Sequence, residues 1–277
     1  MNKIHDTVNN LAADHRRGKL ESWLSPPDPS ENYNKALKQR HKHSGLWFLQ
    51  SETFTKWKKR RNSFLWLYGI PGCGKTILSS AIIKTLDCMP LPSQPLLYFY
   101  FDFNDSRKQE LDSMVRSLII QLYSKLGNTS KELDSLITSH ENGRRQPSLE
   151  SLCGAFLQMI DQVEEVWIVL DALDECITRR GSPTEGVVSW IREVLNSEQR
   201  NVHLLVTSRP EQDIESGIID FTHRDEIVPI QSSLISEDIR AYIHTRVRED
   251  SGLRRWRSQP EVQNEIETRL MEKADGM

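Results

Sequence analysis

Lys75 and Thr76 close the run Gly69-Ile70-Pro71-Gly72-Cys73-Gly74-Lys75-Thr76, which fits G-x-x-x-x-G-K-[ST]. These residue types at this spacing suit one task, the cradling of phosphates. Glycines let the backbone curl until its N–H groups converge on phosphate oxygens. Lys75 brings a full charge to the terminal phosphates, and Thr76 offers a hydroxyl to Mg²⁺. The candidate cofactor-binding residues are therefore Gly69, Pro71, Gly72, Cys73, Gly74, Lys75, Thr76 and Ile77. A second group could act on what the loop holds. Asp171 ends an apolar run and can take Mg²⁺ together with Thr76, directly or through water. Asp174 and Glu175 follow at once. Hydrolysis needs a carboxylate to orient and polarise the attacking water, and either could serve, Glu175 being slightly favoured. Arg209 follows another apolar run. If that run lies beside the strand that feeds the glycine loop, Arg209 reaches the γ-phosphate and steadies charge there.

These groups meet only if strands and helices bring them together. Residues 64–68, ahead of the glycines, are apolar and read as a buried strand. Ile77, Leu78, Ala81, Ile82 and Leu86 then recur at one-face helical spacing, so the loop lies between strand and helix. The helix N-terminus adds partial positive charge at the phosphate site. Residues 96–101, 166–171, 202–207 and a short 226–230 read as further strands. Between them run helical stripes, among them Leu111, Met114, Val115, Leu118, Ile119 and Leu122. Further helices are expected at 131–139, at 149–163, and through Val187, Trp190, Ile191, Val194 and Leu195. Alternating strands and helices predict an α/β three-layer sandwich with a five-stranded, mainly parallel sheet. Asp171 would then stand at a strand's C-terminal tip, in the crevice where open α/β sheets bind ligands.

The flanks read differently. Residues 1–43 form a helical, proline-rich lead, with Val8, Leu11 and Leu20 irregularly spaced and a strap at 23–29. Ser30 is the expected N-cap of a helix through Ala36 and Leu37. The basic run from Lys38 to His43 reads as a solvated helix face. Ser44-Gly45-Leu46 is a candidate contact to a nucleotide base, while Trp47, Phe48 and Trp57 read as plain core. Cys88 to Pro95 is a proline-punctuated loop. From about Ser236 the chain is helical. The expected division is a lead at 1–43, a nucleotide domain at 44–231 and an incomplete helical domain at 232–277.

Composition narrows the function class. The net charge of −3 argues against a dedicated nucleic-acid binder. No apolar run approaches the ~18 residues of a membrane span, so no integral membrane contact is expected. The start, Met1-Asn2-Lys3-Ile4-His5-Asp6, lacks the apolar stretch of a secretory signal. Cys73, Cys88, Cys153 and Cys176 form no C-x-x-C pair, and a disulfide at Cys73 would disrupt the glycine loop. Reduced thiols and a cytoplasmic setting follow as expectations.

Three stretches together resemble the NACHT branch of the STAND class of P-loop NTPases. Residues 69–76 look like its Walker A motif, and 166–175 like an extended Walker B of the hhhhD-x-x-D-E type. Residues 204–210, ending Thr207-Ser208-Arg209-Pro210, look like its sensor stretch. The wording of 23–29, 44–57 and 69–80 is similar to fungal heterokaryon-incompatibility proteins and to the nephrocystin-like N-terminal module. The resemblance implies a signalling switch that holds ADP at rest, takes ATP on activation and oligomerises. It also implies that the helical domain leads to a winged helix and then to repeats. Ala274-Asp275-Gly276-Met277 looks like a family motif cut short, which makes a fragment the expectation.

The leading functional expectation is a slow, Mg²⁺-dependent ATP switch with GTP left open, whose partners are the nucleotide and, in a longer form, other copies of itself. A binding-only scaffold is the alternative. A small-molecule kinase fits less well, because a D-x-x-D-E cluster suits water activation better than an acceptor pocket. A Ras-type GTPase is disfavoured by the missing D-x-x-G and N-K-x-D.

Overall fold

Five strands lie side by side in the order β2-β3-β4-β1-β5, and every pairing is parallel. The structure is a computed structural model and describes residues 15–89, 94–127, 130–182, 185–196 and 201–274. Val8, Leu11, most of the proline loop before Gln94 and the last three residues, 275–277, lie outside the described residues. The strands are β1 (Ser63–Tyr68), β2 (Leu96–Tyr100), β3 (Val166–Asp171), β4 (Val202–Ser208) and β5 (Ile227–Pro229). The sequence pattern placed all five within a residue or so. The sheet is wholly parallel where the pattern predicted mainly parallel, as expected when each strand returns through a helix.

Register sets the functional end. Tyr68 pairs with Ser208 and Tyr100 with Asp171, so four strands finish at one level. β1 enters between β4 and β5, with β3 and β2 beyond β4. The loop after β1 therefore opens beside the tips of β4 and β3.

Side chains alternate across the sheet, and each face has its own core. Phe64, Trp66, Leu97, Phe99, Ile168, Leu170, Leu204 and Val206 point one way. They meet a helical segment at 15–24 (α1), α6 (Leu111–Lys125), α7 (Lys131–Ser139), α8 (Leu149–Ile160), α9 (Val187–Leu195) and α10 (Gln212–Ile219). Leu65, Leu67, Tyr100, Trp167, Val169 and Leu205 point the other way. They meet α3 (Leu46–Leu49), α4 (Glu52–Lys59) and α5 (Lys75–Asp87). Each fully buried Leu or Phe contributes about 1.5–3 kcal/mol by leaving water. With both faces covered, strands read as continuous apolar runs.

The lead is fastened at several points. Trp23 donates its indole N–H to the Arg145 carbonyl at 2.9 Å, and the Gln146 amide donates to the Trp23 carbonyl at 2.7 Å. The strap thereby docks on the loop before α8. Helix α2 (Ser30–Gln39) follows. Ser30 is its first helical residue rather than its N-cap. Asp28 takes the end instead, accepting the Ser30 N–H at 2.8 Å and the Ser30 hydroxyl at 2.9 Å. A carboxylate suits the positive end of a helix better than a hydroxyl. The helix stops at Gln39, so Arg40 and His41 are not part of a solvated helical face. Arg40 donates to the Ser44 carbonyl, at 3.1 Å from Nε and 3.0 Å from Nη2. Ser51 caps α4, accepting from Phe54 N–H at 3.1 Å. Phe54 and Trp57 stack at 5.6 Å within the core.

Beyond β5, α11 (Ser232–Glu249) and α12 (Pro260–Lys273) pair as a hairpin through Arg248 and Glu267, α11 starting a turn earlier than Ser236. Among the described residues no helix is long and apolar enough to cross a membrane.

At the N-terminal end of the sheet, His203 stacks on Trp167 with centroids 4.0 Å apart. Its Nδ1 faces the Ser63 hydroxyl at 2.7 Å and the Trp57 carbonyl at 3.0 Å, and its Nε2 faces Glu165 at 2.6 Å. The ring ties β4 to β1, α4 and the start of β3. His203→Ala strands these buried polar partners and is expected to cost about 1–3 kcal/mol. Urea unfolding followed by circular dichroism measures it, and an unchanged midpoint would show that the ring merely fills space.

Candidate functional site

Two glycines shape the loop. Gly72 and Gly74 stand at φ +81° and +86°, a region that other residues rarely adopt. The turn delivers the chain into α5, whose first residues are Lys75 and Thr76. Lys75 Nζ spans the loop, donating to the carbonyls of Gly69 at 2.7 Å and Ile70 at 2.9 Å. Pro71 and Gly72 face solvent, while Cys73 is buried and its thiol is pushed up by burial. That thiol is packing, not an exposed nucleophile.

The second half of the site meets the first. Asp171, 1% exposed, accepts the Thr76 hydroxyl at 2.8 Å. It also accepts Ser79 at 2.6 Å and Thr207 at 2.7 Å. Burial pushes this carboxyl up from its usual range, and the three hydroxyls oppose the shift. Sequence reading chose Asp171 and Thr76 but not Ser79 or Thr207. Ser79 lies three residues beyond Thr76 on α5 and so shares its face, a spacing that could have flagged it. Thr207 needed the β3–β4 register, which local pattern does not give.

After Asp171 the chain turns sharply. Ala172 adopts φ +58°, a strained conformation for a residue with a β-carbon, and its N–H donates to Thr207 Oγ at 3.0 Å. The turn separates the two acidic candidates. Asp174 is nearly buried, with 4% of its side chain exposed, and faces Arg209. Its Oδ1 accepts the Arg209 backbone N–H at 2.9 Å, and its Oδ2 lies 2.9 Å from the guanidinium Nε. Glu175 points elsewhere and accepts the Phe103 N–H at 2.9 Å through Oε2. Burial raises its carboxyl, with that N–H bond opposing. β4 does pair with β1, so the condition set for Arg209 from sequence is met.

Beside the loop a cavity of about 680 Å³ opens, within the usual size for a small-molecule site. Gly72, Cys73, Gly74 and Ile77 line its phosphate side; Ser44, Gly45 and Trp47 form one wall, and Asp238, Ile239 and Tyr242 of α11 another. Of the three residues expected to contact a base, Ser44 and Gly45 line this cavity and Leu46 does not. Phe48 and Trp57 are core as expected, but Trp47 faces the cavity. Gly45 N–H donates to Asp238 at 2.7 Å, and His41 Nε2 lies 3.1 Å from the Thr245 hydroxyl. His41 Nδ1 is buried with no partner among the described residues.

The donor set bears on Mg²⁺. One buried carboxylate and one adjacent hydroxyl are hard oxygen donors, and they suit an ion whose other ligands are phosphate and water. Among the described residues no cluster of three His, Cys, Asp or Glu side chains could hold a metal by itself.

An all-parallel sheet, a glycine loop leading from its inner strand into a helix and a strand-tip carboxylate bonded to that helix define a P-loop nucleotide-binding domain. The family model "Nephrocystin 3, N-terminal" matches residues 43–209, more than half of the chain. The chain belongs to that family. The matched stretch begins beside Ser44 and ends on Arg209, so it spans the loop and strand-tip residues but not α11. No curated protein matches the chain.

Gly69 offers a local test of the loop's packing. A β-carbon there would sit 2.6 Å from Cys73 Sγ and 3.2 Å from Ile230 Cβ. Gly69→Ala is expected to cost about 1–3 kcal/mol by overpacking, and Cys73→Ala in the same chain should recover part of it. Thermal melting of the single and double variants decides, and equal losses would show the contact with Cys73 to be irrelevant.

Proposed function

We propose that the protein is a nucleotide switch of the STAND type, NACHT branch, which binds ATP, with GTP left open, and hydrolyses it slowly with Mg²⁺. The observation that carries this reading is the 2.8 Å bond from the Thr76 hydroxyl to Asp171. It joins the loop's metal-binding hydroxyl to the strand-tip carboxylate, as a shared Mg²⁺ site requires. Lys75 and the N–H groups of the loop hold the β- and γ-phosphates, and the cavity between Gly45 and α11 takes the nucleoside. When bound, Mg²⁺ neutralises charge on the phosphates and helps position them. Thr76 and Asp171 hold it. Glu175 orients the attacking water, and Arg209 steadies the γ-phosphate.

Several features support a slow, gated reaction. Glu175 is tied to a backbone N–H, and Lys75 is bound to the loop's own carbonyls. The same bonds favour a second reading, a binding-only scaffold. In the switch reading the working parts are a lead at 1–43, a nucleotide domain at 44–231 and the hairpin from 232 onward. The setting is cytoplasmic, in signalling akin to fungal incompatibility, and longer forms self-associate through the nucleotide domain.

Lys75→Ala is expected to abolish nucleotide binding in isothermal titration, and undiminished ATP affinity would reject the site. Glu175→Gln should keep binding and slow phosphate release by about 10²–10⁴-fold. Absence of phosphate release from a parent chain that binds nucleotide would favour the scaffold, whereas release unaffected by Glu175→Gln would take Glu175 out of the reaction. Because burial raises Glu175, its deprotonated form is lost as pH falls through a value above the ordinary 4.5. Turnover should fall on that acid limb, and Glu175→Gln should change its position, leaving only the part that Asp171 contributes.

A further inference from the structure

Arg179 was not singled out by its sequence, yet it touches both the turn that grips Arg209 and the turn that carries it. Its Nη1 donates to the Asp174 carbonyl at 3.2 Å and to Glu211 at 2.6 Å, and its Nε lies 3.1 Å from Asp213. Asp174 in turn grips Arg209 by backbone N–H and Nε. Glu211 N–H returns to the Arg209 carbonyl at 2.9 Å. The contacts form a closed ring from Arg209 to Asp174, Arg179, Glu211 and back.

The segment that presents Arg179 is stitched into the fold. Ile177 N–H donates to the Gln109 carbonyl, Val187 N–H to the Thr178 carbonyl and Val188 N–H to the Arg179 carbonyl. Leu111 N–H donates to the Thr178 hydroxyl at 2.8 Å. Arg179 is therefore a fixed post rather than a swinging surface side chain.

We infer that Arg179 is a positioning residue for the γ-phosphate contact, an inference that rests on the nucleotide reading above. Asp174 holds the inner nitrogen of the Arg209 fork, which leaves the outer two nitrogens for a phosphate. Arg179 holds the backbone on which Asp174 turns. It also occupies Glu211 and Asp213, carboxylates two and four residues beyond Arg209 that would otherwise compete for its guanidinium. Asp174 accordingly aims Arg209 instead of activating water, which leaves that task to Glu175.

The test is a double-mutant cycle on the full chain, with Mg·ATPγS and Mg·ADP as probes. Arg179→Gln is expected to lower the preference for the triphosphate by about tenfold or more, the worth of a charge-assisted bond, with diphosphate affinity unchanged. In an Arg209→Ala background the same change should have no further effect, because its action passes through Arg209. Arg179→Lys should recover part of the preference. If Arg179→Gln does not fold, Glu211→Gln with Asp213→Asn releases the same post from its far end without freeing a competing carboxylate, and should give a smaller loss in the same direction, again only when Arg209 is present. Equal weakening of both probes, or an unchanged cost without Arg209, would reduce Arg179 to a structural ion pair and overturn the inference. A Lys75→Ala chain that still binds both probes would instead sink the nucleotide reading itself.

Discussion

The carboxylate of Asp171 lies almost out of reach of water, and three hydroxyls hold it there. A buried charge without such partners costs several kcal/mol. Two of the hydroxyls come from α5 and one from β4, so a single group fixes the helix after the glycine loop against two strand tips. Any shift of α5 along the sheet would strip Asp171 of Thr76 and Ser79 together. The same geometry that makes the charge tolerable sets the position of Lys75, one residue before Thr76.

Around that point the fold works by level and by side. Parallel pairing brings the tips of β1, β3 and β4 to one height, and the segments after them present Lys75, Glu175 and Arg209. Alternation within β1 sends Phe64 and Trp66 to one core and Leu65 and Leu67 to the other. β1 is thereby locked from both faces, and the glycine loop departs from a fixed origin. His203 performs a similar service at the far end, where Trp57, Ser63, Trp167 and Glu165 converge on it.

Much of this was legible in the sequence because it is written in short range. The glycine run, the apolar runs of the strands and the stripe on α6 each declare themselves within a dozen residues. What escaped was pairing at long range. The parting of Asp174 toward Arg209 and Glu175 toward Phe103 follows a turn through Ala172 that no propensity predicts. Thr207 mattered only once β4 was registered against β3. Arg179 reads as one more surface arginine until Glu211 and Asp213 arrive from another element. Ser30 misled because Asp28, two residues earlier, accepts the N–H of Ser30 itself and so draws Ser30 into the first turn.

The two ends of the site are built to different standards. At the glycine-loop end, Asp171 is buried at a strand tip and bonded three times over. At the other end the cavity is closed by α11, whose polar ties include Asp238 to the Gly45 N–H and Thr245 to His41 of the lead, with Ile235 and Ile239 packed beside them. Burial pushes the Asp238 carboxyl up, so even this clasp is made at a cost in desolvation. A bond worth about 1 kcal/mol net is easily exchanged for one to a ligand. The α11 wall of the cavity is therefore held by weaker polar ties than the Asp171 cluster, and on the proposed reading it is the softer side of the site.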